Sequence, residues 1–247
     1  MKKIFQFVIV AAVIVLQSCA TTTTVPTELR YTQYAVNSNE GEDSFLLKML
    51  APYKDSLVKT MNRVIGFSLE PVYERSAASI GNFITDAMKE QATERFGRKV
   101  DLAIMNSGGI RSYLPAGDIT IGKMYELMPF DNMLVIQELP GSVLQQLFER
   151  AAGAGGWPVS GVTMNIVNRK AENIQVGGKP LELERKYVVA ISDYLANGGD
   201  QCPMLRTVPQ QNVGYLFRDA LIEYVQKFTA AGKPLVVSKD KRISNGD

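Results

Sequence analysis

Asn106-Ser107-Gly108-Gly109-Ile110-Arg111 is a polar stretch that directly follows an apolar one, Val100-Asp101-Leu102-Ala103-Ile104-Met105. A short, almost unbroken apolar run stopped by paired glycines predicts a buried strand that ends in a loop. Gly108 and Gly109 let the backbone reach positive φ and let a ligand approach with no Cβ in the way. Arg111 adds an always charged planar fork suited to phosphate or carboxylate. These are the parts of an anion site. They are equally the parts of a tight turn whose arginine makes a surface ion pair, and the six residues alone leave both readings open.

A chain of 247 residues holds one large domain or two small ones, and 46% hydrophobic with 21% charged residues is ordinary globular composition. The start is different in kind. Lys2 and Lys3 precede an apolar stretch from Ile4 to Leu16, and Leu16-Gln17-Ser18-Cys19 resembles the lipobox of bacterial lipoproteins. That stretch is shorter than the roughly 18 residues of a spanning helix, so residues 1–18 are expected to be a signal peptide cleaved before a lipidated Cys19. The other reading is a short N-terminal anchor, and both imply export, with the chain held at the periplasmic side or the cell surface. Residues 19–44 are Thr-, Asn- and Glu-rich without apolar periodicity and are expected to be a flexible tether; residues 45–247 are expected to be the domain.

Taking Lys2 and Lys3 from the 27 basic residues leaves them equal in number to the 25 acidic ones. A near-neutral chain offers no clustered basic excess, which argues against nucleic acid and against an electrostatically held membrane surface. With Cys19 lipidated, Cys202 is a lone thiol without an internal partner, expected to serve as a small, semi-buried apolar residue. The sequence contains no histidine. Imidazole-based zinc and dinuclear sites and Ser-His-Asp or Cys-His catalysis therefore have no residues to use. Phosphate-binding Gly-Lys loops, nucleophile elbows and dinucleotide fingerprints are missing as well. No tight Asp/Glu cluster suggests a carboxylate-only metal site, so no cofactor is expected in this chain.

Along the chain, Phe45, Leu46, Met49, Leu50, Tyr53, Leu57, Val58, Met61 and Ile65 recur at helical spacing, with Pro52 predicting a break or kink and Gly66 the helix end. Ser79 caps a second helix through Ile80, Phe83, Ile84, Ala87, Met88 and Phe96, closed by Gly97. After the Arg111 loop come a short extended piece at Ile119 to Gly122, one turn to Leu127, the loop Met128-Pro129-Phe130-Asp131-Asn132 and a strand from Met133 to Leu139. Ser142-x-x-Gln145 reads as a capping box opening a helix that stops at Gly153. Val162 to Val167 alternates, Gly177-Gly178 turns a hairpin, and Tyr187 to Ile191 is another buried strand. A last helix buries Leu216, Phe217, Ala220, Leu221, Tyr224, Val225 and Phe228, and a terminal strand is expected near Leu235-Val236-Val237. About nine interleaved elements with no repeat and no interior linker predict one α/β (α+β mixed) domain, a mixed sheet with flanking helices.

Three strand-end loops share ingredients: Asn106 and Arg111; Phe130 and Asn132; Tyr194, Gly198-Gly199 and Asp200. Two aromatic rings on separate loops suit a sandwiched planar ring, and Asp200 suits ribose hydroxyls. Phe130 and Tyr194 serve equally well as packing residues, and spacing does not decide whether the loops converge.

Asn106-Ser-Gly-Gly-Ile-Arg111, Pro129-Phe130-Asp-Asn132, Ser160-Gly161 and Tyr194-x-x-x-Gly198-Gly199-Asp200, in this order, resemble the C-terminal domain of the bacterial and animal 5'-nucleotidase family, from roughly Phe45 onward. The resemblance implies a substrate-recognition domain with Arg111 and Asn106 on the phosphate and ribose side. It implies Phe130 and Tyr194 stacking on the base, Asn132 at the base edge and Asp200 on the ribose hydroxyls. Arg75, one place out of register with the family's further arginines, is a candidate phosphate contact. Tyr194 stands where the family commonly has Phe, keeping the stacking face and leaving its hydroxyl without an assigned role. Gln201-Cys202 follows Asp200 where Gly and an aromatic are usual. No counterpart of the family's metallophosphatase domain is recognised in the chain. The expectation is therefore a nucleotide- or nucleoside-recognising component, inactive alone, acting in nucleotide catabolism with a separate metallophosphatase polypeptide that carries the divalent metals. The alternatives are a stand-alone nucleotide- or nucleoside-binding lipoprotein without turnover, and a scaffold without a ligand.

Overall fold

The computed structural model describes residues 42–73 and 79–246, and Cys19, where lipidation is expected, the expected signal peptide, Arg75 and most of the expected tether lie outside them. In chain order the elements are α1 Ser44–Met61, β1 Val64–Ser68, α2 Ile80–Phe96, β2 Leu102–Ile104, β3 Gly117–Thr120, α3 Ile121–Leu127, β4 Leu134–Pro140 and α4 Gly141–Gly153. They continue as β5 Val159–Ser160, β6 Val162–Val167, β7 Lys170–Val176, β8 Lys179–Pro180, β9 Lys186–Ser192, α5 Asp193–Ala196, β10 Gln210–Gln211, α6 Phe217–Ala230 and β11 Ile243–Asn245. The described residues from Met49 on belong to one compact unit, and residues 42–48 lie outside it.

The centre is a five-stranded mixed sheet in the order β10-β4-β9-β2-β5, with β2 parallel to β9 and the other neighbours antiparallel. Side chains alternate across a strand, and here each side meets its own apolar core. Ala103, Met105, Ile136 and Ala190 join Phe83, Ile84, Phe217 and Leu221 on one face. Leu102, Ile104, Val135, Val189 and Ile191 join Leu147, Phe148, Trp157 and Met164 on the other. Burial on both faces explains why these strands read as continuous apolar runs. The first core is covered by α2 and α6, the second by α4 and a four-stranded sheet ordered β11-β6-β7-β8. A β1-β3 pair completes this mixed α/β architecture.

Helix α2 follows its sequence signals: the Ser79 side chain accepts a hydrogen bond from Gly81 N at 3.1 Å, and Gly97 closes the helix at φ 63°. Elsewhere the structure corrects the reading. Helix α1 runs through Pro52 without a break, and Ser44 to Thr60 are exposed. The carbonyl that proline leaves without its helical donor lies on an exposed helix, where solvent can reach it. Gly66 does not end it; it lies inside β1 at a bulge, where a Cβ would sit 2.4 Å from Val225 Cγ1 of α6. The Ser142 capping box does not form. Helix α4 starts at Gly141, and the amides of Gly141 and Ser142 donate to Arg185 O at 2.8 Å and Leu183 O at 2.9 Å, which satisfies the first turn from outside.

The terminal strand is Ile243–Asn245, parallel to β6, rather than Leu235 to Val237. Leu235 makes one isolated bridge to Ser68, its amide donating to Phe67 O at 2.7 Å, while Val236 is 66% exposed, so pairing does not extend into a strand. The two-residue strands β5, β8 and β10 are too short for periodicity to reveal, and they raise the described elements above the nine expected. No helix among the described residues is long and apolar enough to cross a membrane.

Candidate functional site

The register of the central sheet brings three strand ends level. Ala103 of β2 lies beside Ala190 of β9, and Leu134 at the start of β4 lies beside Ser192 at the end of β9. The segment after β2, the one before β4 and the one after β9 therefore open on the same side, the usual place for ligands on such sheets.

After β2, Ser107–Gly109 form a single 3-10 turn in which Ile110 N donates to Ser107 O at 3.1 Å. Neither glycine uses positive φ, contrary to expectation. At Gly109 the lack of a side chain gives space, since a Cβ there would lie 2.0 Å from Met105 Cε, whereas one on Gly108 would make an ordinary contact with Asn106 Nδ2 at 3.7 Å. Arg111 N donates to Leu127 O at 3.0 Å, fixing the backbone where its side chain departs.

Before β4, the 128–133 segment is held by Arg218 of α6, which is 5% exposed. Its guanidinium donates to Met128 O at 3.1 Å, Phe130 O at 3.3 Å and Asp131 Oδ1 at 2.7 Å, and lies 3.8 Å from the Tyr125 ring centroid. Phe217 N donates to Asn132 O at 2.9 Å. Met133 N donates to Asp193 Oδ1 at 3.0 Å and Asp193 N returns a bond to Met133 O at 2.9 Å, tying this segment to the third.

After β9, Ser192 caps the short helix α5, its side chain accepting from Leu195 N at 3.3 Å. Gly198 then takes φ 88°, and Gly199 lies under the Tyr194 ring, where a Cβ would be 2.5 Å from ring carbons. Asp200 itself is left-handed, at φ 49° and ψ 37°, a conformation that non-glycine residues adopt at some cost. Four hydrogen bonds from nitrogen and oxygen donors hold it, and the Cys202 thiol adds a weak one to Asp200 O at 3.8 Å. Arg150 Nε donates to Asp200 O at 2.8 Å, Asn106 Nδ2 to Oδ2 at 2.6 Å and Tyr194 OH to Oδ1 at 2.9 Å, while Asp200 N donates to the Tyr194 oxygen at 3.2 Å. The Tyr194 hydroxyl, left without a role by the sequence, thus has two partners. Cys202 beside them is fully buried, and burial pushes its thiol up to about 11, with Asp200 adding to the rise and Arg150 opposing it.

Asn106, Gly108, Gly109, Arg111, Phe130, Asn132, Tyr194 and Asp200 together line one cavity of about 280 Å³. That is close to the lower end of small-molecule pockets, about 300 Å³. Arg111 has no carboxylate partner among the described residues; its guanidinium lies 5.3 Å from the Phe130 ring centroid. An uncommitted cation and an aromatic face thus meet in one place. A larger cavity of about 540 Å³ adjoins Ser107 and Ile110. Its Asn82 and Arg242 are already committed, Asn82 to Ser238 O and Asp240 O, Arg242 to Asp86 and Val159 O.

Ser160 and Gly161, part of the motif set, do not line the smaller cavity. Ser160 Oγ donates to Asp86 Oδ1 at 2.6 Å, and Gly161 takes φ 77° where a Cβ would be 2.4 Å from Asp101 O. Sequence reasoning missed Arg150, Arg218 and Asp193, which hold the loops from behind. Arg218 did leave a signal, since it stands within the apolar stripe of α6 beside Phe217, three residues before Leu221. Among the described residues no group of three His, Cys, Asp or Glu is placed to hold a metal ion.

Residues 58–207, more than half of the chain, match the family described as 5'-nucleotidase, C-terminal domain. A 5'-nucleotidase of Vibrio vulnificus is 29% identical over 216 residues, covering 83% of this chain and 37% of that protein. An apyrase of Tabanus yao is 31% identical over 195 residues, covering 68% and 34%. The crystal structure of a 5'-nucleotidase precursor from Thermus thermophilus superposes with a TM-score of 0.70 at 27% identity, over 83% of this chain and 43% of that one. The chain thus spans well under half the length of each.

Proposed function

This chain belongs to the 5'-nucleotidase C-terminal domain family, and from that premise we propose that it is the nucleotide-recognising part of a 5'-nucleotidase-type hydrolase in nucleotide catabolism. The observation that carries the reading is the cavity in which Arg111, without a carboxylate partner among the described residues, the rings of Phe130 and Tyr194 and the carboxylate of Asp200 meet. Arg111 takes the phosphate through charge-assisted hydrogen bonds. Phe130 and Tyr194 stack on the base, Asn132 meets its edge, and Asp200 accepts from the ribose hydroxyls.

Bond cleavage is assigned to a metallophosphatase unit on a separate polypeptide, which holds the divalent metals. A sequence without histidine supports that division of labour. The basic and apolar start and the Cys19 context support export and a lipid anchor.

Calorimetry of the soluble chain from Thr21 against adenosine, AMP, UMP and a UDP-sugar tests the recognition claim. AMP is expected to bind, and to bind more tightly than adenosine. If none of the four binds, the site is not a nucleotide site. Phosphate release from AMP by the chain alone, with Mn²⁺ or Zn²⁺ present, is expected to stay at background, and metal-dependent release abolished by mutating an acid of this chain would overturn the division of labour.

A further inference from the structure

We infer that the hydroxyl of Tyr194 is a specificity-determining group: it aims the Asp200 carboxylate so that the site prefers ribose over 2'-deoxyribose. The inference rests on the nucleoside reading of the cavity and deepens it.

A carboxylate offers about four lone-pair sites. Asn106 Nδ2 occupies one on Oδ2, and Tyr194 OH occupies one on Oδ1. One acceptor position then remains on each oxygen, side by side on a residue that lines the cavity. Two adjacent acceptors suit two adjacent hydroxyl donors, the arrangement of a vicinal diol. Removing one hydroxyl from the ligand leaves one acceptor unmet beneath the bound sugar, and a site built to receive a hydroxyl discriminates against the analogue that lacks it.

Tyr194 fixes the backbone of the same residue as well, because its oxygen accepts from Asp200 N. The left-handed turn has a separate support in Arg150 Nε, which donates to Asp200 O. Losing the hydroxyl therefore releases Oδ1 and leaves the carboxylate held by Asn106 at Oδ2 alone, so that it pivots about that bond while the turn itself stays held. The ring of Tyr194, still backed by Gly199, keeps its stacking face. A phenylalanine here would bind a base equally well and read the sugar less strictly. Tyr194→Phe thus separates sugar selection from base stacking.

The test is calorimetry with adenosine and 2'-deoxyadenosine on the wild-type chain and on Tyr194→Phe, repeated with uridine and 2'-deoxyuridine to remove dependence on the base. The wild type is expected to prefer the ribonucleoside by about tenfold or more. In Tyr194→Phe that preference is expected to fall below about threefold, with the 2'-deoxynucleoside affinity changed less than about twofold, at an unchanged melting temperature. A wild type that binds both sugars equally overturns the inference without any variant being made. So does a Tyr194→Phe chain that keeps the wild-type ratio. A wild type that binds no nucleoside or nucleotide overturns the underlying reading, and this inference with it.

Discussion

Gly199 and Tyr194 form the contact at which a single methyl group is most informative. A Cβ on Gly199 would lie 2.5 Å from the Tyr194 ring, well inside van der Waals contact. Overpacking a rigid core costs about 1–3 kcal/mol, but this ring is 44% exposed and can swing outward at lower cost. Gly199→Ala is therefore expected to lose about 1 kcal/mol of stability or less, while nucleoside affinity falls about tenfold or more as the stacking face is displaced. Calorimetry and a thermal melt on the same variant check it; unchanged affinity would mean that the ring is not a platform. At this scale much was legible in the sequence, because Asn106, Arg111, Phe130, Asn132, Tyr194 and Asp200 carry their chemistry in their side chains. What stayed hidden was who touches whom. The second partner of the Tyr194 hydroxyl is the amide of a residue at positive φ, and nothing in the letters Asp-Gln marks a left-handed turn. Gly108 and Gly109 show the opposite failure, since their type suggested unusual dihedrals, which neither adopts, and only Gly109 sits where a Cβ would crowd a neighbour.

Between elements, α6 holds the Phe130 segment through Arg218, a buried cation spent on two carbonyls and a carboxylate. Arg218→Met keeps much of the apolar stem and removes the donors, leaving the Met128 carbonyl without that bond. A loss of about 2–4 kcal/mol in urea unfolding is expected, together with weaker nucleoside binding, because the Phe130 ring loses its anchor. Unfolding within about 0.5 kcal/mol of wild type, with unchanged binding, would show that the segment is held by other contacts. The long helices were legible from apolar periodicity, β6 from its alternation and β4 and β9 from their continuous apolar runs, whereas β7 was legible only at its end beside the Gly177-Gly178 turn. Helix starts without a side-chain cap were not. Helix α4 takes its first-turn acceptors from Leu183 and Arg185, about 40 positions away, a long-range fact that local reading replaced with a capping box. Pro52 misled for a related reason: the cost of an interior proline falls where the abandoned carbonyl faces water.

For the molecule as a whole, three buried acids should set the alkaline limit. Burial raises the Cys202 thiol from 9.0 to about 11 and the Tyr224 hydroxyl from 10.0 to about 12, and it raises Tyr215 further, with help from a hydrogen bond to Glu223. Each group holds its proton more tightly folded than unfolded. Its stabilising effect is thus intact below the unfolded value and is lost as pH climbs through the folded one. Melting temperature is expected to decline above about pH 9, and Cys202→Ala should remove the first stage, worth about 2–3 kcal/mol between pH 9 and 11. A flat profile across that window would contradict the burial of these groups. The two-sided core was readable from the apolar runs, whereas the convergence of three loops depended on strand order and register, which no local pattern encodes. That convergence is the central claim, and the most direct measurement is the affinity ratio of AMP to adenosine in wild type and Arg111→Ala, at equal melting temperature. Arg111→Ala is expected to weaken AMP by about tenfold or more and to leave adenosine within about twofold, because only AMP presents the anion. An unchanged ratio would remove the phosphate from Arg111 and leave the 107–111 loop an ordinary turn.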